Sequence, residues 1–271
     1  MFKDITLGQY FPGNSIIHNL DPRVKIMLTI LYIILLFMVK NFSGFAVFAL
    51  FTLLVICAAK IPFKYVFKGL RPLLFIIIFT AILNVFMTQG RIAFQIPYTP
   101  ITATWEGIYM AAFMIIRLMF LLVGTSVLTL TSSPISLTDG IEHLLSPFKK
   151  IGVPAHELAM MMTIAIRFIP TLLEETEKIM KAQTSRGADF ETGNLIKRAK
   201  SLVPLLVPLF ISAFRRADEL ALAMECRCYN GGVGRTRMKQ LKITGTDIWC
   251  SVFMIAVLSG AAAIGYMPFL F

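Results

Sequence analysis

Two arginines define the chemistry this sequence offers. Arg186 lies in KAQTSRGADFETG at 181–193, and Arg227 lies in AMECRCYNGG at 223–232, 41 residues further on. Each has small neighbours: Ser185 and Gly187 flank the first, Cys226 and Cys228 the second. A guanidinium presents a rigid fork of donors suited to bidentate contacts with carboxylates or with the carbonyls at the end of a helix. Small neighbours leave that fork free to protrude into a partner's groove. A plainer reading stands beside this one. Each arginine falls near a helix C-terminus, where a cation gains about 0.3–1 kcal/mol from the macrodipole. The dipole accounts for tolerance of one cation at a time, and docking accounts for two in matched settings.

Other chemistries find less support. No G-x-x-x-x-G-K-[ST] occurs, so the chain carries no phosphate-binding loop of its own. GGVGRTR at 231–237 is glycine-rich and basic, but it lacks the lysine–hydroxyl ending and reads as a linker. His156-Glu157 begins an H-E-x-x-H pattern that fails at Met160, and only His18 and His143 remain elsewhere. Cys226-x-Cys228 lacks further ligands for a soft metal, and no G-x-S-x-G appears for a serine nucleophile. Cys57, Cys226, Cys228 and Cys250 do not form a disulfide framework, because two sit in apolar runs and two in a pair too close for easy bridging.

The elements that must position the arginines follow from composition. Apolar residues make up 57% of the 271 residues and charged ones 15%, with a mean hydropathy of +0.76. A soluble domain is nearer about half apolar and about a quarter charged. The reading is an all-α polytopic membrane protein. The net charge of +11 then reflects basic cytoplasmic loops rather than nucleic acid. Five stretches are expected to span the bilayer: 24–42, 44–60, 72–88, 105–130 and 247–271. Asp21 and Pro22 read as N-cap and first helical residue of the first span. The second is short and relies on Lys40 and Lys60 snorkelling outwards. The N-terminus, MFKDITLGQYFPGNS, has no apolar core behind its start and does not read as a signal peptide.

Basic residues orient the spans. Arg23 and Lys25 precede the first; Lys60, Lys64, Lys68 and Arg71 fill the 60–71 loop; Arg91 stands alone in the 89–104 loop. The region after the fourth span holds 16 of the 26 Lys and Arg. The expected topology places the N-terminus and the 134–245 region inside and the C-terminus outside. The domains are then a four-span membrane part at 1–133, a cytoplasmic helical region at 134–245, and a last transmembrane helix at 246–271.

Within 134–245 three helices are expected. One covers 136–150 and is cut by Pro147. Long amphipathic helices cover 155–186 and 195–229, the first about 48 Å in length. Pro204 and Pro208 should kink or break the second of these. Ile169, Leu172, Leu173, Thr176, Ile179, Met180 and Gln183 line one face of the first long helix. Glu174–Lys178 and Glu177–Lys181 lie at i, i+4 on its wet side. Leu206, Phe210, Ala213, Ala217, Leu220, Ala221 and Met224 form the stripe of the second, with Arg215, Arg216, Asp218 and Glu219 off it. Either the two helices pack on each other, or their Ala/Met-rich faces receive another membrane protein. A stand-alone secondary permease of a small solute is the alternative from another class; Arg117 and Asn84 are the polar groups its spans offer.

Three long stretches resemble a known family: GQYFPGNSIIHNLDPRVK at 8–25, TSSPISLTDGIEHLLSPFKKIGVPAHELAMMMTIAIRFIPTLLEETEKIMKAQTSRGADF at 131–190, and VPLLVPLFISAFRRADELALAMECRCY at 203–229. The family is the transmembrane T component of energy-coupling factor (ECF) transporters, closest to the type whose module is shared among substrates. The resemblance implies a subunit of a bacterial plasma-membrane importer for vitamins or similar micronutrients. It implies two ABC-type ATPase partners that carry the ATP and Mg, no cofactor in this chain, and a separate substrate-binding membrane subunit. The docking residues it implies are Ser185, Arg186, Gly187, Cys226, Arg227 and Cys228. Contacts to the substrate-binding subunit would come from Leu172, Ile179, Met180, Phe210, Ala213, Ala217, Leu220 and Met224. The family's usual triplet is Ala-Arg-Gly, so Ser185, Cys226 and Cys228 are departures; the loss of glycine at 228 bears on the local backbone rather than on Arg227.

Overall fold

A computed structural model describes residues 10–70, 73–95, 102–190, 194–231 and 241–266. The first nine residues, Arg71, most of GGVGRTR and the last five residues of the expected final span lie outside the described residues. In chain order the helices are α1 (Pro22–Met38), α2 (Phe42–Ala59), α3 (Phe63–Leu70), α4 (Leu74–Met87), α5 (Trp105–Thr131), α6 (Pro134–Leu145), α7 (Ala155–Ser185), α8 (Leu195–Cys226) and α9 (Gly245–Tyr266). The all-α reading holds, with a short antiparallel hairpin, β1 (Ile92–Gln95) and β2 (Thr102–Thr104), as the exception between α4 and α5. Among the described residues α2, α5, α7 and Gly245–Ala263 of α9 are long and apolar enough to cross a membrane. α1 has 17 residues and α4 only 14, so α4 reaches about 21 Å against a hydrocarbon core of about 30 Å. α7, which the sequence assigns to the cytoplasmic region, passes on length and composition because its first half is the apolar run through Ile169.

The helix starts have local causes. Asp21 caps α1 by accepting the Arg23 N–H at 2.9 Å, with Pro22 in the first turn. Thr104 caps α5 by accepting the Gly107 N–H at 3.1 Å. Pro147 marks the end of α6, as expected, and opens a single 3₁₀ segment at Ser146–Ile151. Pro204 and Pro208 do not break α8, nor does Pro170 break α7. Pro208 lacks the N–H that would reach the carbonyl of residue 204. That carbonyl accepts a long contact of 3.4 Å from Gln183 Nε2 on α7 instead.

The described residues fall into two compact units, one drawn from Gly8–Gly140 and Leu241–Phe271, the other from Ile141–Gln240. The core of the first gathers Tyr32, Leu36 and Val39 of α1, Phe45, Phe48 and Phe51 of α2, Phe113 of α5, and Leu258 and Ala261 of α9. Tyr32 ties the layers by donating to the Phe120 carbonyl at 3.1 Å, with its hydroxyl 3.2 Å from Thr52 Oγ1. Small residues let α2 and α9 approach closely. A Cβ on Gly44 would lie 2.7 Å from Val39 Cγ1 and 3.2 Å from Gly265 Cα.

A polar cluster pins the starts of α1 and α9 to the end of α5. Asp247 is 1% exposed. Its carboxylate accepts the Asp21 N–H at 2.8 Å, and both the N–H and the hydroxyl of Thr244 at 2.6 Å. Lys25, read from sequence as an orienting loop charge, is buried. Its ammonium donates to the His18 carbonyl at 2.9 Å, the Thr131 carbonyl at 3.0 Å and Ser132 Oγ at 3.3 Å.

Candidate functional site

The two arginines occupy the same structural position. Arg186 is the C-cap of α7 with φ −89° and ψ 8°, and Arg227 is the C-cap of α8 with φ −93° and ψ 13°. The residue after each turns left-handed, Gly187 at φ 88° and Cys228 at φ 55°. The Ala188 N–H donates to the Gln183 carbonyl at 3.0 Å, and the Gly187 N–H to the Thr184 carbonyl at 2.9 Å. In α8 the Tyr229 N–H donates to the Met224 carbonyl at 3.0 Å, and the Cys228 N–H to the Glu225 carbonyl at 2.8 Å. Both are Schellman ends, in which backbone amides satisfy the last carbonyls. Cysteine pays about 1 kcal/mol for a conformation that glycine adopts freely, yet the departure at 228 leaves the cap intact.

This geometry separates the two accounts of the arginines. The carbonyls that a cationic side chain would satisfy already have backbone donors, so the cap does not need the guanidinium. Arg186 and Arg227 are both exposed. Among the described residues neither guanidinium has a recorded hydrogen bond or ion pair. Ser185, Cys226 and Cys228 are exposed beside them; the Ser185 hydroxyl turns back to the Lys181 carbonyl at 3.1 Å. No group of His, Cys, Asp or Glu among the described residues is placed to hold a metal. His156 instead lies 3.0 Å from Glu142 Oε1.

The helices that carry the caps pack together in register. Glu175 of α7 accepts from Arg216 Nη2 at 2.8 Å and from the Ser212 hydroxyl, both on α8. The expected pairs Glu174–Lys178 and Glu177–Lys181 are not among the ion pairs of the described residues. Exposed side chains gain too little from such pairs to hold one geometry, whereas Glu175 and Arg216 meet at a helix–helix contact with side chains 23% and 32% exposed. Leu172, Ala213, Ala217, Leu220 and Met224 line a groove of about 260 Å³ between the helices, and Arg216 joins them. Phe210 faces outwards at 60% exposure, with Phe214 at 68%, Ile211 at 60% and Val207 at 51%. Ile179 and Met180 are half-buried. Of the eight candidate contact residues, five line the interhelical groove, Phe210 lies on an open apolar face of α8, and Ile179 and Met180 on α7 belong to neither.

As a cluster, Glu175, Ser212 and Arg216 escaped the sequence reading, which set Arg216 off the apolar stripe of its helix. One signal was available: Glu175 and Arg216 are 41 residues apart, as are the two cap arginines. Arg117 is held by a backbone carbonyl and two aromatic rings. Its Nη2 donates to the Val39 carbonyl at 2.7 Å, and its guanidinium lies 4.7 Å from the Phe113 ring centroid and 5.5 Å from that of Phe37. Asn84 Nδ2 donates to the Thr80 carbonyl of its own helix at 2.8 Å.

Comparison with known proteins gives a consistent result. The family model described as CbiQ, cobalt transport protein, matches residues 13–239. An energy-coupling factor transporter transmembrane protein EcfT of Thermosediminibacter oceani is 61% identical over 246 residues, 91% of this chain and 92% of the relative. Proteins of the same name from Clostridium kluyveri and Bacillus subtilis are 60% and 46% identical, covering 93% and 95% of this chain and 93% and 97% of theirs.

Proposed function

This chain belongs to the CbiQ family as a transmembrane component of the energy-coupling factor type, and from that premise we propose that it transmits the motion of two partner ATPases to a separate substrate-binding membrane subunit. The cargo class is a vitamin or similar micronutrient. The observation that carries this reading is the pair of exposed arginine caps with one shared backbone conformation and hydrogen-bond pattern. Two like projections suit two like receiving grooves, one on each ATPase. ATP and Mg belong to those partners, and this chain serves as a transmission element rather than a catalyst. The open face of α8 around Phe210 and the residues of the α7–α8 groove offer the apolar surface for the substrate-binding subunit. A permease reading draws no support from Arg117, whose charge closes the end of α1.

The test is recovery of partners. A tagged full-length chain, expressed at native level and purified in mild detergent, brings down two proteins with G-x-x-x-x-G-K-[ST] sequences and a small polytopic membrane protein. Solute uptake by liposomes holding this chain alone, without ATP or partners, would sink the reading. The proposed orientation places the N-terminus in the cytoplasm of a bacterial cell and the C-terminus outside. A reporter fused after Phe271 should therefore score external, and a cytoplasmic signal overturns that orientation.

A further inference from the structure

We propose that Glu175 and Arg216 form a clamp that positions the two arginine caps at equal distances on opposite sides of a single point. The inference rests on the docking role of those caps. The contacts between α7 and α8 run in opposite senses. Gln183 reaches Pro204, Glu175 reaches Ser212 and Arg216, and the groove joins Ile164 and Phe168 to Leu220 and Met224. The helices are therefore antiparallel, and an antiparallel pair has a local two-fold axis across its contact.

The ion pair sits on that axis. Arg186 follows Glu175 by 11 residues, and Arg227 follows Arg216 by the same 11. Eleven residues make three turns to within about 20°, a length of about 16 Å. Each arginine thus lies on nearly the same helix face as its own clamp residue, at the tip of an arm of equal length. Neither arm contains a proline: Pro170, Pro204 and Pro208 all lie on the far side of the clamp residues. Both carboxylate oxygens of Glu175 are engaged, Oε2 by Arg216 and Oε1 by the Ser212 hydroxyl. The clamp therefore fixes the sliding register of α7 on α8. A slip of one turn would shorten one arm relative to the other and carry the caps out of step with a two-fold pair of grooves. The partner that fits is a dimer of like subunits, bound at two points. Such binding owes its strength to the second site being presented at the right span.

The experiment reads span and affinity together. Nitroxides are attached through a genetically introduced keto amino acid at the exposed positions Lys181 and Leu222, one on each arm, so that the native cysteines remain. In the full-length chain the distance distribution measured by pulsed EPR is narrow. Glu175→Gln broadens it at least twofold and weakens binding of the ATPase pair by about tenfold, with membrane insertion and thermal transition retained. The exchange Glu175→Arg with Arg216→Glu restores both the narrow distribution and the affinity. A distribution that Glu175→Gln leaves unchanged, a broadening that the exchange does not reverse, or a broadening without loss of affinity overturns the proposal. Failure of the docking role itself shows separately: the ATPases would then bind normally when both cap arginines are reversed, while the EPR measurement still reports on the clamp.

Discussion

Arg186→Glu combined with Arg227→Glu is expected to abolish recovery of the ATPases with this chain while leaving its insertion and folding unchanged. Each reversal replaces a guanidinium donor by a carboxylate facing the same groove. Loss of one charged hydrogen-bonded contact at an interface costs about 2–5 kcal/mol. Two such losses weaken binding by about a thousandfold or more, enough to empty a pull-down. The folded chain is spared because its caps are closed by backbone amides at Gly187, Ala188, Cys228 and Tyr229 rather than by the arginines. The thermal transition of the purified variant should therefore stay within a degree or two of the parent. Normal co-purification by the double variant removes the docking role. A collapsed transition would instead show that the side chains hold the caps, contrary to the hydrogen-bond pattern.

Asp247→Ala is expected to give the largest loss of stability in the first unit. Its carboxylate is the shared acceptor for the Asp21 N–H, the Thr244 N–H and the Thr244 hydroxyl, and it is almost wholly buried. Truncation leaves two backbone donors without partners, at about 1–3 kcal/mol each. It also removes the negative charge from the first turn of α9, where the helix dipole favours it. A combined loss of about 3 kcal/mol corresponds to a fall of about 6–12 °C in the thermal transition of a chain of this size. Asp247→Asn keeps one acceptor oxygen and should fall less. An unchanged transition for Asp247→Ala would mean that the starts of α1 and α9 are held by the apolar core alone.

These two sites differ in how far the sequence foretold them. The long helices were legible, and α7 in particular begins and ends within a residue of expectation, because its apolar period, the glutamate in its first turn and the glycine after Arg186 are all local signals. Asp21 as a cap and Pro147 as a stop were equally local. Span bounds were less so at α1, whose expected end at 42 lies beyond Val39, where the chain turns extended, whereas α4 ends at Met87, within a residue of expectation. The role of Lys25 was misplaced altogether. A lysine beside a predicted span looks like a loop charge, and only the carbonyls of His18 and Thr131, the latter 106 residues away, turn it inward.

The sequence by itself determined the class of molecule, the two long helices and the two arginines at their ends. Hydropathy, helical periodicity and capping preference act over a few turns of one chain segment, and they need no knowledge of neighbours. Tertiary structure alone decided that Glu175 forgoes its helix neighbours for Arg216 and that Asp247 accepts from Asp21 across 226 residues. Those outcomes depend on which helix faces meet and how much water they exclude. The strength of a charge pair or a buried hydrogen bond is set by that exclusion, and it is not written at either residue.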